Sequence, residues 1–113
     1  MKIIKQSNYK EVTSNTCGKL VELCNDSDVP ISITKAENLK STIKHKHHDS
    51  TEIYWVTQGE LELEVADKTV KLEQGDIISI QPGESHKVIS SSENNTVIVL
   101  STPPWSPEDE VLD

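Results

Sequence analysis

The sequence predicts an all-β fold, a small sandwich or barrel of short antiparallel strands, and three observations carry that reading. Apolar residues recur with a period of two, as in Glu60-Leu61-Glu62-Leu63-Glu64-Val65, where each Glu can face water while Leu and Val face a core. Turn-forming residues interrupt such stretches at short intervals along the whole chain. Hydrophobic residues make up 34% of the chain and aromatics 4%, with no Phe, so the core is built mainly from Ile, Val and Leu, which favour strands.

In chain order the expected strands are 19–24, 31–35, 42–47, 52–57, 60–65, 69–73, 76–80, 87–90 and 96–101. The turns between them are marked by Asn25-Asp26-Ser27-Asp28, Asp49-Ser50, Ala66-Asp67-Lys68, Gln74-Gly75, Pro82-Gly83 and 91–95. Clean alternation belongs to antiparallel sheet, and this many short strands suggests a closed or double-layered architecture. The tail, 102–113, changes character, because Pro103 and Pro104 cannot donate to a ladder and end the last strand. Ser106-Pro107-Glu108-Asp109-Glu110 reads as an N-cap, a first-turn Pro and early acidic residues, the start of a short helix or helical turn. Trp105 packs onto the barrel or onto a partner chain, with a wall of the site as the alternative. With 113 residues, 1–113 is expected to form one domain around one core.

The 11 Lys and Arg against 19 Asp and Glu leave a net charge of −8, which repels phosphate backbones and anionic lipid and argues against nucleic-acid or membrane binding. The only apolar run near the N-terminus is Ile3-Ile4, far short of a signal-peptide core, so a cytoplasmic location is expected. Cys17 and Cys24 are expected to be reduced, partly buried thiols.

Chemistry concentrates in Lys44-His45-Lys46-His47-His48-Asp49, which holds three of the chain's four histidines, with Glu52 close behind. On a strand His45 and His47 share a face while Lys46 and His48 point the other way, so the pair can chelate and His48 belongs to the surface. Glu52 can stand beside them if the next strand is a neighbour, and His86, directly after Pro82-Gly83-Glu84-Ser85, can bring a third imidazole. Neutral imidazoles with one carboxylate suit one divalent ion of Fe, Mn, Ni, Co, Cu or Zn.

The spacing His45-x-His47, Glu52, Gly59 resembles the first signature motif of the cupin family (45–59), and Gly75-Asp76 through Pro82-Gly83 to His86 resembles the second (75–86). Gln81 and Ser90 stand where the second motif usually has other residues, and neither is a ligand position. The resemblance implies a double-stranded β-helix, a jelly-roll barrel, with His45, His47, Glu52 and His86 as metal ligands. It implies a metal-dependent enzyme of the isomerase, dioxygenase, decarboxylase or lyase kind, acting on a small carbonyl- or carboxylate-bearing metabolite such as a sugar or sugar acid. A non-enzymatic ligand-binding or structural cupin is the alternative. Tyr54, with the strand parity of Glu52, is the candidate acid or base, against the plainer reading of a core tyrosine; Lys44, Gln58 and Glu62 are more remote candidates. No Arg occurs in the chain, so no bidentate guanidinium clamp can hold a substrate anion. Small cupins often pair, and a homodimer is expected, with the N-terminal strand and the Trp105 tail covering open edges.

Overall fold

In the computed structural model, which describes residues 1–113, inward and outward residues alternate along eleven strands that form two antiparallel sheets. The strands are β1 (Lys10–Ser14), β2 (Gly18–Cys24), β3 (Ser32–Glu37), β4 (His45–His47), β5 (Thr51–Gln58), β6 (Leu61–Val65), β7 (Lys68–Leu72), β8 (Ile77–Ile80), β9 (His86–Ser91), β10 (Thr96–Thr102) and β11 (Glu110–Leu112). One sheet runs β1-β2-β3-β10-β5-β8 and the other β11-β4-β9-β6-β7. This is the cupin-like jelly roll, all-β, with two 3₁₀ turns and no α-helix.

The period-2 pattern explains where the core sits. In β6, Leu61 and Leu63 are buried to 1% and 0% exposure while the Glu residues between them reach solvent. Val56, Ile80, Val88 and Val97 close the same interior from both sheets. Each such aliphatic side chain contributes about 1.5–3 kcal/mol through burial. Inner-face rows run straight across the six-stranded sheet. Thr34, Val99 and Tyr54 form one row, and Ser32, Ser101 and Glu52 form the next.

All nine expected strands are present, with ends shifted by a few residues. Two were not foreseen. Strand β1 is short and mostly polar, so its only strand signal is its pairing with β2. The helical turn expected after Ser106 forms, and strand β11 follows it directly. Only one 3₁₀ turn forms, Pro107–Asp109, and Ser106 makes no side-chain cap bond. Glu110 is already extended and lies opposite His47, because the open edge of β4 offers backbone partners that so short a helix cannot match. Strand β11 covers the edge of β4 from within the chain, and β1 is the outermost strand of the six-stranded sheet. No helix is long and apolar enough to cross a membrane.

Candidate metal centre

Three imidazoles come from one sheet and the carboxylate from the other. His45 and His47 point inward from β4, as their parity requires, and His86 sits directly opposite His45 on β9. Glu52 faces them from β5. The second-motif turn is tied to the first, since Gly83 N–H donates to the His47 carbonyl at 2.8 Å. All four side chains are buried, at 1%, 3%, 5% and 1% exposure for His45, His47, Glu52 and His86. One ligand atom from each lies within 4.8 Å of all the others.

Nε2 of His47 and Nε2 of His86 each stand 3.0 Å from Oε1 of Glu52. The separation suits a hydrogen bond but the alignment does not, and all three atoms are buried without a hydrogen-bond partner. Leaving such groups unpaired costs about 1–3 kcal/mol each. Ligand atoms about 2.1 Å from one ion and at right angles to each other lie about 3.0 Å apart, so one cation at the focus would satisfy all of them. The outer ring nitrogens fix the tautomers. His45 Nδ1–H donates to the Ile43 carbonyl at 2.7 Å and His86 Nδ1–H to the Glu84 carbonyl at 2.9 Å, leaving both Nε2 lone pairs for the centre. The donor set thus fits one divalent transition ion.

The local electrostatics act differently on the two β4 imidazoles. Burial and the neighbouring His86 hold the His45 imidazole below its ordinary value, in the neutral form a ligand needs. Burial alone would raise the Glu52 carboxyl, but the imidazoles of His47 and His86 outweigh it and hold the group down at about 2. Burial likewise opposes protonation of His47, and Glu52 overrides it, raising that imidazole.

A cavity of ≈ 60 Å³ reaches this cluster, lined by His45 and Glu52 and by Tyr54, Trp105, Cys17 and Glu110 among others. Tyr54 is buried, and its ring lies edge-on to His86 with centroids 6.0 Å apart. Burial pushes its hydroxyl well above the ordinary value, so it stays protonated. Trp105 is a wall of this cavity, the alternative role considered from sequence. His48 is exposed, as its parity requires. Lys44, Gln58 and Glu62 do not line the cavity: Lys44 pairs with Glu64 at 3.5 Å, and Gln58 accepts from Thr96 at the far end of β5.

Sequence reasoning placed neither Cys17 nor Glu110 at the site. Cys17 precedes β2 and is a free thiol that burial pushes up to about 11, so it is no nucleophile at neutral pH. Glu110 enters from β11, its Oε1 3.7 Å from His45 Nε2 and accepting from Thr16 Oγ1 at 3.1 Å. Neither sits in a motif, and only the register of β11 on β4 could have pointed to Glu110.

Two antiparallel sheets closed over a buried three-histidine, one-glutamate cluster define a cupin. Residues 36–103 match the cupin domain family of the cupin 2 type, and the chain belongs to that family. An uncharacterised protein of Methanocaldococcus jannaschii is 32% identical over 74 residues, covering 64% of this chain and 59% of that protein. An uncharacterised protein of Streptomyces coelicolor is 30% identical over 66 residues, covering 58% and 63%. The match thus spans about six-tenths of each relative's length. Among solved structures, a Planctomyces limnophilus protein superposes with a TM-score of 0.83 at 24% identity, over 99% of this chain and 96% of that one. The Streptomyces nucleoside dehydratase Pac13 gives 0.82 at 12% identity, over 100% and 91%. KdgF from Halomonas gives 0.73 at 16% identity, over 96% and 97%. At these identities the structures share the fold.

Proposed function

We propose that this cupin holds one divalent transition ion on His45, His47, Glu52 and His86 and works as a metal-dependent enzyme on a small carbonyl- or carboxylate-bearing metabolite, such as a sugar or sugar acid. The observation that carries the reading is the set of buried, unpartnered donors on His47, Glu52 and His86 at the wall of a cavity. When bound, the ion would supply Lewis-acid polarisation of a carbonyl, which isomerase, decarboxylase and lyase chemistry draws on. The chain's own residues supply the rest. The Ile43 and Glu84 carbonyls orient two imidazoles, and Trp105 keeps water from one side of the cavity. Tyr54 is the candidate acid, its hydroxyl kept protonated by burial. A dehydratase among the structural neighbours supports small-molecule chemistry on this fold. The reading further takes the protein to be cytoplasmic and homodimeric, without nucleic-acid or membrane partners.

Elemental analysis of the purified parent beside His86→Ala tests it, followed by a turnover screen of the loaded protein. Near one equivalent of metal in the parent, lost in the variant, together with metal-dependent turnover is the expected result. Metal without turnover across carbonyl substrates would favour a binding or structural cupin, and a parent that takes up no metal would overturn the proposal.

A further inference from the structure

The four-residue cluster is not the only charge at the centre. Three neutral imidazoles and one carboxylate around a divalent ion would leave one net positive charge, a centre that draws anions. Glu110 changes that sum. Its Oε1 lies 3.7 Å from His45 Nε2, its side chain is 11% exposed, and it lines the same cavity as Glu52. With Glu52 and Glu110 together, the ion's two charges are already matched.

Glu110 is also held in place. Thr16, buried at 4% exposure, donates to Oε1, while β11 is anchored at the preceding residue by His48 N–H to the Asp109 carbonyl at 2.9 Å. The Asp109 carboxylate in turn accepts from Asp49 N–H and Ser50 N–H at 2.7 and 3.1 Å. The rest of the cavity offers an anion no cationic side chain. No Lys lines it, and its third carboxylate, Glu22, faces inward from β2. Lys10 is the cross-strand neighbour of Glu22 but lies outside the cavity lining. The remaining polar lining consists largely of hydroxyls, on Thr13, Ser14, Thr34 and Ser101. A carboxylate or phosphate entering here would meet negative charge in a medium of reduced dielectric, with no cationic clamp to receive it.

We infer that Glu110 sets the charge class of the substrate: the site takes an uncharged hydroxyl- or carbonyl-bearing molecule and turns acids away. This rests on the metal-dependent reading above and narrows it to its carbonyl half.

The test is binding, not turnover. Cobalt(II)-loaded parent, Glu110→Gln and Glu110→Asp are titrated with azide and followed by visible absorption, with the metal content of each measured. Glu110→Gln should keep its metal and bind azide at least about tenfold more tightly than the parent, while Glu110→Asp, which keeps the charge, stays near the parent. On the parent alone, lactamide should bind at least as tightly as lactate, which differs from it in charge, a comparison that stands even if a variant fails to fold. Azide affinity in loaded Glu110→Gln that does not rise, or lactate preferred to lactamide by the parent, would overturn the inference with the metal centre intact. A parent that takes up no cobalt would instead overturn the metal-dependent reading itself.

Discussion

His86 separates metal from fold at the level of one residue. Replacing it with Ala deletes a proposed ligand that is 1% exposed, and also removes one of the buried unpartnered nitrogens. Loss of that unpaired atom offsets part of the cost of the void, so the metal-free variant is expected to lie within about 1–2 kcal/mol of the metal-free parent in denaturant unfolding. Metal content should fall from near one equivalent to near none, and collapse of the fold in the same variant would point to a structural role instead. Tyr54→Phe should leave metal content unchanged and lower turnover about 10²-fold if the hydroxyl is the acid, with kcat carrying the loss. The cluster was legible because the parity of His45 and His47 is a local property of a strand, and the spacing to Glu52 and His86 matched a known motif. Glu110 was not legible. Its partner Thr16 lies 94 residues away in sequence, and nothing near either residue records that distance being closed.

The C-terminal strand and the turn after β5 make separate demands on their residues. Asp109 fastens β11 to the β4–β5 connection through the N–H groups of Asp49 and Ser50. Burial would raise its carboxyl, and those N–H donors outweigh it and hold the group below its ordinary value. The folded value is depressed, so the fastening is fully present above the unfolded pKa of about 3.9 and is lost as pH falls through the lower folded value. Asp109→Asn should therefore cost about 1 kcal/mol at neutral pH and show a shallower loss of stability on acidification, read from thermal midpoints across pH 2–7. At the far end of β5, Gly59 has φ +80°, and a Cβ there would meet Ser92 Oγ at 2.6 Å and Asn95 Cα at 3.0 Å. Asn95 is 2% exposed and bonded to both backbone groups of Leu39, so it cannot withdraw freely. Gly59→Ala should destabilise by about 1–3 kcal/mol in chemical unfolding while metal content holds, because the turn lies a full strand away from Glu52. The strands that alternate were readable from sequence. Strands β1 and β11 were not, since a three-residue strand such as Glu110–Leu112 exists only through the edge it meets.

The outer face of the six-stranded sheet carries a row of apolar side chains at the scale of the whole molecule. Ile98 lies between Lys35 and Trp55, and Trp55 pairs with Ile77 on the next strand; Leu100 lies between Ile33 and Ile53. These apolar side chains sit where an antiparallel sheet normally presents polar ones, and Trp55 and Ile77 are 43% and 61% exposed. The sequence led us to expect pairing through the N-terminal strand and the tail; the tail pairs with β4 within the chain, β1 pairs on one side only, and the apolar row lies on the face of the same sheet. The dimer we propose therefore packs two of these sheets face to face about a two-fold axis, an isologous contact. Each copy carries a net charge of −8, so apolar burial drives association against electrostatic repulsion. That opposition gives the arrangement a salt dependence of definite sign: screening weakens the repulsion, so the dimer should tighten between 0.02 and 0.5 M NaCl, whereas a dimer built on ion pairs would loosen. Light scattering after gel filtration should give twice the 12.6 kDa chain mass for the parent. Trp55→Glu, which places a charge at the centre of the apolar row, should give a folded monomer that keeps its metal. A monomeric parent at micromolar concentration would end the proposal, and a dimer untouched by Trp55→Glu would move the interface to another face.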